Sequence, residues 1–154
     1  MKVDPGGITK SLGENTSGLF YFLTFLPSLQ SNLLFTMNPY LFVYGTLRLD
    51  STHEMAQYLH TNSTYVGRGR MPGAVYDLGE YPGAVFDEKS GSMVEGDVFC
   101  LSDPEEMLAR LDAYEGIGYP FEPPYEYVRA EKLICFADEF IKSWVYLLNV
   151  EDLC

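Results

Sequence analysis

The phrase Pro-Gly-Ala-Val, followed by an aromatic residue and an aspartate, occurs twice in close succession, as Pro72-Gly-Ala-Val-Tyr-Asp77 and Pro82-Gly-Ala-Val-Phe-Asp87. Gly79 and Pro82 punctuate the stretch between them. Two like arms joined by glycine and proline read as neighbouring short strands around a tight curve. The middle of the chain is therefore β-rich. Thr64-Tyr-Val-Gly67 leads into the first arm, and Met93-Val-Glu-Gly-Asp-Val-Phe99 alternates as a further strand.

Either side of this middle the pattern changes. Tyr40-Leu-Phe-Val-Tyr44 is an apolar run that reads as the opening strand. His53-Glu-Met-Ala-Gln-Tyr-Leu-His60 reads as a short helix with Met55, Tyr58 and Leu59 on one face. Asp103-Pro104-Glu105-Glu106 supplies an N-cap acid, proline at the first helical position and a glutamate three residues after the cap. Gly116 is a suitable stop, and Met107, Leu108, Leu111 and Tyr114 form the stripe expected to be buried. Two late strands follow, over 125–136 and 141–149. No βαβ alternation is sustained, so seven or so short strands and two helices predict an α+β fold. Its sheet is expected to be a small mixed, mostly antiparallel β-barrel. At 154 residues, 47% of them hydrophobic, the chain has material for one compact core.

Residues 1–36 differ in texture and are read as an N-terminal extension to a domain spanning 37–154. The run Leu19-Phe-Tyr-Phe-Leu-Thr-Phe-Leu26 ends at Pro27, too soon for a membrane span of roughly twenty apolar residues. Asp4 and Glu14 stand where a signal peptide would carry basic residues. The aromatic patch is expected to pack against the domain or a second copy, which allows a homo-oligomer. A net charge of −12 without a Lys/Arg cluster argues against a nucleic-acid partner. Cys100, Cys135 and Cys154 form no CxxC pair and have only His53 and His60 as co-ligands, so no metal, cofactor or disulfide framework is expected. Reduced thiols fit a cytoplasmic protein.

Two segments carry candidate chemistry. Tyr44-Gly45-Thr46-Leu47-Arg48 ends the opening strand at a glycine, where several N–H groups can converge on one small space and hold a carboxylate. An ordinary turn is the plainer reading. Leu111-Asp112-Ala113-Tyr114-Glu115-Gly116 places an acid beside Leu108 and Leu111 on the inner edge of the second helix. A carboxylate there is desolvated and its pKa rises toward roughly 6–7, the range useful for proton transfer. Alternatively it reaches solvent or pairs with an arginine. Arg129, on the same strand face as Tyr127, either offsets Glu115 or rides exposed. Trp144 and Tyr146 share a face and serve the core or a pocket wall. His53 and His60 read as surface residues of the first helix, without a Ser or Cys partner. Gly67-Arg-Gly69-Arg-Met-Pro-Gly73 is rejected as a dinucleotide loop, since proline takes its sixth position and no helix follows.

Tyr44-Gly-Thr-Leu-Arg48, Leu78-Gly-Glu-Tyr-Pro-Gly83, Val94-Glu-Gly-Asp-Val98, Leu111-Asp-Ala-Tyr-Glu-Gly116, Tyr127-Val-Arg129 and Trp144-Val-Tyr146, in that order, resemble the gamma-glutamylcyclotransferase-like family. The likeness is to the branch with gamma-glutamylamine cyclotransferases and small bacterial homologues, from Met37 to about Asn149. It implies a compact β-barrel with flanking helices and a small-molecule gamma-glutamyl substrate cyclised to 5-oxoproline. It also implies that Tyr44, Gly45, Thr46 and Leu47 hold the amino-acid end of that substrate and that Glu115 is the acid/base. Tyr127 and Tyr146 join Tyr44 as candidate walls. The segment Ile117-Gly-Tyr-Pro-Phe-Glu-Pro-Pro124 is longer than in many members and is expected to shape the leaving-group side. A non-catalytic binding module that keeps the pocket is the alternative.

Overall fold

The computed structural model describes residues 36–153. The extension read over 1–36, with its aromatic patch, lies outside the described residues apart from Thr36, as does Cys154. The described elements are β1 (Tyr40–Val43), α1 (Glu54–Thr61), β2 (Ser63–Asp77), β3 (Pro82–Phe86), β4 (Met93–Leu101), α2 (Pro104–Tyr114), β5 (Tyr127–Phe136) and β6 (Glu139–Leu148), followed by a 3-10 turn, Val150–Leu153.

Neighbours in the sheet run β3-β2-β4-β1-β6-β5, and β2 also pairs with β5. That last pairing, Arg70 opposite Cys135, closes β2, β4, β1, β6 and β5 into a five-stranded barrel and leaves β3 as an extra strand on β2. Every pairing is antiparallel except β1 with β6, where Leu41 lies opposite Trp144. The expected α+β, mostly antiparallel barrel with two helices is the fold observed.

Six strands are described where seven or so were expected, because the segments at 64–67 and 72–77 belong to one strand, β2. A bulge between Tyr65 and Gly67 bends β2 without ending it. Pro72 does not break it either, since its partner Met93 is the last residue of the β4 ladder and the β3 ladder begins one residue later, at Gly73 opposite Phe86. The missing N–H thus falls where β2 changes partners. There the Pro72 carbonyl accepts the Asp87 N–H at 3.1 Å.

Phe42, Met71, Ala84, Val94, Val98, Ile134, Val145 and Leu147 form the principal core. Outside it, α2 buries Met107, Leu108 and Leu111, and α1 buries Ala56 and Leu59. Two expectations need correction. Met55 and Tyr58 are only half-buried, with the Arg110 guanidinium 4.3 Å above the Tyr58 ring, so α1 is sealed by Ala56 and Leu59. Tyr114 leaves the α2 stripe, because the helix ends there and its ring, 37% exposed, turns to the cavity and the His53 ring instead of the core. Asp103 caps α2, accepting the Glu106 N–H at 3.3 Å, with Pro104 in the first turn as its spacing predicts. No helix among the described residues is long and apolar enough to cross a membrane.

β1 approaches β4 closely at Gly96. A Cβ added there would lie 2.3 Å from the Val43 carbonyl oxygen and 2.5 Å from the Phe42 ring. Backbone cannot yield as a flexible side chain does, so Gly96→Ala should cost about 1–3 kcal/mol of unfolding free energy by overpacking. Urea unfolding of wild type and variant measures it, and equal midpoints would mean that the β1–β4 seam is looser than described.

Candidate active site

β1 ends at Val43 and the chain turns sharply, with the Arg48 N–H donating to the Gly45 carbonyl at 3.1 Å. Leu47 plugs into the protein with 5% of its surface exposed, while Thr46 stays outside. The N–H groups of Gly45, Thr46 and Leu47 have no acceptor among the described residues. All three residues line one cavity of about 470 Å³. Tyr44, just before them, is fixed at both ends of its hydroxyl. It donates to the Tyr146 carbonyl at 2.6 Å and accepts the Ala84 N–H at 3.1 Å.

Glu115 reaches the same cavity from the end of α2. Beyond it Gly116 takes the left-handed conformation, φ 77°, which costs a residue without Cβ little. The Ile117 N–H then donates to the Asp112 carbonyl at 2.8 Å and the Gly116 N–H to that of Ala113 at 3.2 Å. This is a Schellman cap, and it holds Glu115 at the C-cap, one residue past Tyr114. Burial raises the Glu115 carboxyl from its ordinary 4.5 to about 7, helped by the negative charges of Asp112 and Glu126. The negative end of the helix dipole acts in the same direction.

Arg129 does not relieve that charge. It is committed to Asp112, with Nε 2.9 Å and Nη2 3.1 Å from the two carboxylate oxygens, and its guanidinium lies 4.6 Å above the Trp144 ring. Neither reading of Arg129 from the sequence holds: it neither pairs with Glu115 nor rides exposed. Strand register explains the outcome, since Arg129 lies opposite Tyr146 on β6 and the Tyr146 hydroxyl also donates to Asp112, at 2.7 Å.

Tyr44, Gly45, Thr46, Leu47, Glu115, Tyr127 and Tyr146 all line the cavity. The three phenols are walls with spoken-for hydroxyls: Tyr127 donates to the Pro82 carbonyl at 3.1 Å, and burial pushes all three pKa values far above the neutral range. Sequence reading missed His53, Glu80, Tyr81, Tyr114 and Glu126 as lining residues. His53 caps α1, its Nδ1 accepting the Met55 N–H at 3.1 Å, and its ring meets the Tyr114 ring at 5.5 Å. A histidine at a helix start resembles any other surface residue, so only its place before the first turn hinted at this. The Tyr81 hydroxyl donates to Glu126 at 3.0 Å. Phe121, from the 117–124 segment, completes part of the wall. No group of His, Cys, Asp and Glu side chains that could hold a metal is present among the described residues.

A small closed barrel carries, on one cavity, the strand-end turn of Gly45 to Leu47 and the carboxyl of the residue that ends α2. Its fold is shared with an AIG2-like protein of Mus musculus, at TM-score 0.56 and 22% identity over 72% of this chain and 77% of that one. It is also shared with YkqA from Bacillus subtilis, at TM-score 0.57 and 24% identity over 73% of this chain, although the match spans only 36% of YkqA. Residues 41–153 match the family model for gamma-glutamyl cyclotransferase, AIG2-like. A protein of Vibrio cholerae serotype O1, provisionally named a gamma-glutamylcyclotransferase, is 33% identical over 112 residues, 72% of this chain and 83% of that protein. The chain belongs to the gamma-glutamyl cyclotransferase, AIG2-like family.

The Glu115 environment has a stability consequence. Because its carboxyl pKa rises from 4.5 to about 7 on folding, the folded chain binds more protons than the unfolded one between those values. Stability contributed by this group is present below the lower value and is lost as pH rises through the window. Glu115→Gln should therefore unfold at higher urea than wild type at about pH 8, by on the order of 2 kcal/mol, and match it at about pH 4. Urea titrations at both pH values check the sign.

Proposed function

We propose that the protein is an enzyme that cyclises a gamma-glutamyl amide to 5-oxoproline and releases the amine. The reading rests on one observation: a carboxyl with a pKa of about 7 shares a cavity with the N–H groups of Gly45, Thr46 and Leu47. Ring closure needs a free amine on the substrate's α-carbon. Glu115 takes one proton from the α-ammonium, and the amine nitrogen then attacks the γ-carbonyl carbon. As the five-membered lactam forms, the ring nitrogen loses its second proton, the bond to the departing nitrogen breaks, and that nitrogen gains both protons. Glu115 carries one proton at a time. A pKa near neutrality leaves the carboxyl able to accept a proton and to return it.

The nucleophile belongs to the substrate, so the protein's contribution beyond proton transfer is alignment. The N–H row anchors the α-carboxylate and the tyrosine walls exclude extended conformers, which is how alignment lowers a barrier by several kcal/mol. The bound α-carboxylate needs no counter-ion if N–H groups converge on it.

Incubation with a panel of gamma-glutamyl amides, followed by chromatographic detection of 5-oxoproline, tests the reading. Wild type should release product, with kcat/KM rising through about pH 7 as Glu115 ionises. Glu115→Gln should retain the fold and lose about 10²–10⁴-fold in turnover. Near-wild-type product release by that variant would remove Glu115 from the chemistry, and no product from wild type with any amide would leave a binding module in its place.

A further inference from the structure

Asp97 is the buried charged side chain among the described residues, 3% exposed, and the proton chemistry above does not use it. It stands on β4 directly opposite Val43, the last residue of β1. Its Oδ2 accepts the Leu49 N–H at 2.9 Å and the Arg48 Nε–H at 3.2 Å. The turn that presents Gly45, Thr46 and Leu47 therefore leaves the sheet beside Asp97 and returns to Asp97. Within it, the Arg48 N–H holds the Gly45 carbonyl at 3.1 Å. One edge of the turn is occupied by these bonds, and Gly45, Thr46 and Leu47, whose N–H groups have no acceptor among the described residues, line the cavity.

A carboxylate is a costly post for a loop, since burying it requires donors to replace its water. Here the two donors to Oδ2 come from the loop itself, and the Tyr65 hydroxyl on β2 donates to Oδ1 at 3.4 Å. Arg48 also matters electrostatically: 28% of its side chain is exposed, and its charge offsets that of a carboxylate lying behind a corner suited to an anion. An uncompensated negative charge at that place would oppose such a ligand.

We propose that Asp97 is a positioning residue, fixing the returning limb of the 44–49 turn so that the N–H groups of Gly45, Thr46 and Leu47 converge on the substrate's carboxylate. The role assigned to those N–H groups rests on the functional reading above. The tether itself is a property of the loop and can be measured without turnover.

Three variants and two readouts independent of catalysis form the test. Asp97→Ala removes the acceptor, Asp97→Asn keeps an oxygen for the Leu49 N–H, and Leu49→Pro deletes that N–H while leaving Asp97 and Arg48 in place. Amide exchange by NMR reports the turn, and titration with 5-oxoproline reports the corner. Asp97→Ala and Leu49→Pro should speed exchange of the Arg48 amide, which is bonded to the Gly45 carbonyl within the turn, by about tenfold, with β1 and β4 amides still protected, and weaken 5-oxoproline by a similar factor. Asp97→Asn should stay within about threefold of wild type. In turnover of a gamma-glutamyl amide the loss should appear in KM, with kcat and the Glu115 limb of the pH profile little changed.

Unchanged exchange in Asp97→Ala, or in Leu49→Pro if the alanine variant does not fold, overturns the tether. So does an asparagine variant as damaged as the alanine one, since a general loss of buried charge would then explain both. If wild type forms no 5-oxoproline from any amide while exchange responds as expected, the tether stands and the functional reading falls. Normal KM in Asp97→Ala with active wild type does the opposite: the activity stands and the positioning role of Asp97 falls.

Discussion

The hydroxyl of Tyr44 joins three strands that the ladders alone leave loosely connected. β1 and β6 form the parallel pairing of an otherwise antiparallel barrel, and their described register is the single pair Leu41 and Trp144. Side chains stitch both ends of that seam. At one end the Trp144 indole N–H donates to the Asn38 carbonyl at 2.9 Å, and at the other the Tyr44 hydroxyl donates to the Tyr146 carbonyl. The same hydroxyl accepts the Ala84 N–H, which ties β3 to the barrel although β3 is laddered only to β2. Each such bond contributes about 1 kcal/mol, but its loss strands a buried carbonyl or N–H at a cost of about 1–3 kcal/mol. Tyr44 is thus a joint of the fold at the point where the cavity begins, and that is why it makes a wall and not a proton carrier.

From this joint the two halves of the site diverge in character. The corner after β1 is a set of fixed dipoles, while Glu115 is a charge that the fold declines to neutralise. Arg129 lies on the strand facing α2, yet its guanidinium is occupied by Asp112, and the Tyr146 hydroxyl helps to keep that carboxylate in place. The result is an acid left beside another acid. Such an arrangement lowers stability when both ionise, and it persists because the Schellman cap and the buried face of α2 fix the helix end independently of the charge. A poised carboxyl is therefore obtained from packing, with the electrostatic cost carried by the rest of the domain.

Much of this is local enough to be legible in the sequence. The caps of α2 are fixed by residues within a turn of each other, and helical spacing sets Glu115 on the edge beside Leu108 and Leu111, although it leaves solvent or an arginine open as the destination of the carboxyl. The repeated Pro-Gly-Ala-Val arms do become paired segments, with Ala74 opposite Val85 and Val75 opposite Ala84. What was not legible depends on distant partners. Whether Pro72 ends a strand was decided by Met93 and Phe86, where β2 passes from one neighbour to the next. Arg129 found Asp112 because register set it opposite Tyr146, which no spacing within β5 discloses. Tyr114 satisfies the apolar period of α2, but its place at the helix end takes it off the core and to within 3.5 Å of the Thr46 hydroxyl. Periodicity identifies a face and cannot tell where that face ceases to be covered.

The cavity inherits this division between local and distant determinants. Its floor and the Glu115 carboxyl come from a strand end, a helix cap and two barrel strands, all held by backbone bonds. The opposite side comes from the turn between β2 and β3, which supplies Glu80 and Tyr81, and from the irregular stretch before β5, which supplies Phe121 and Glu126. Groups that must keep a fixed geometry for proton transfer are best carried by rigid elements, whereas groups that only accommodate the remainder of a ligand can sit on connections. The Tyr81–Glu126 hydrogen bond spans these two connections and links them side chain to side chain across the mouth. Changes in length or sequence there would alter what the cavity admits while leaving the Glu115 cap and the Gly45 corner in place. A chain of this fold can for that reason keep this cap and corner and vary the rest of its cavity.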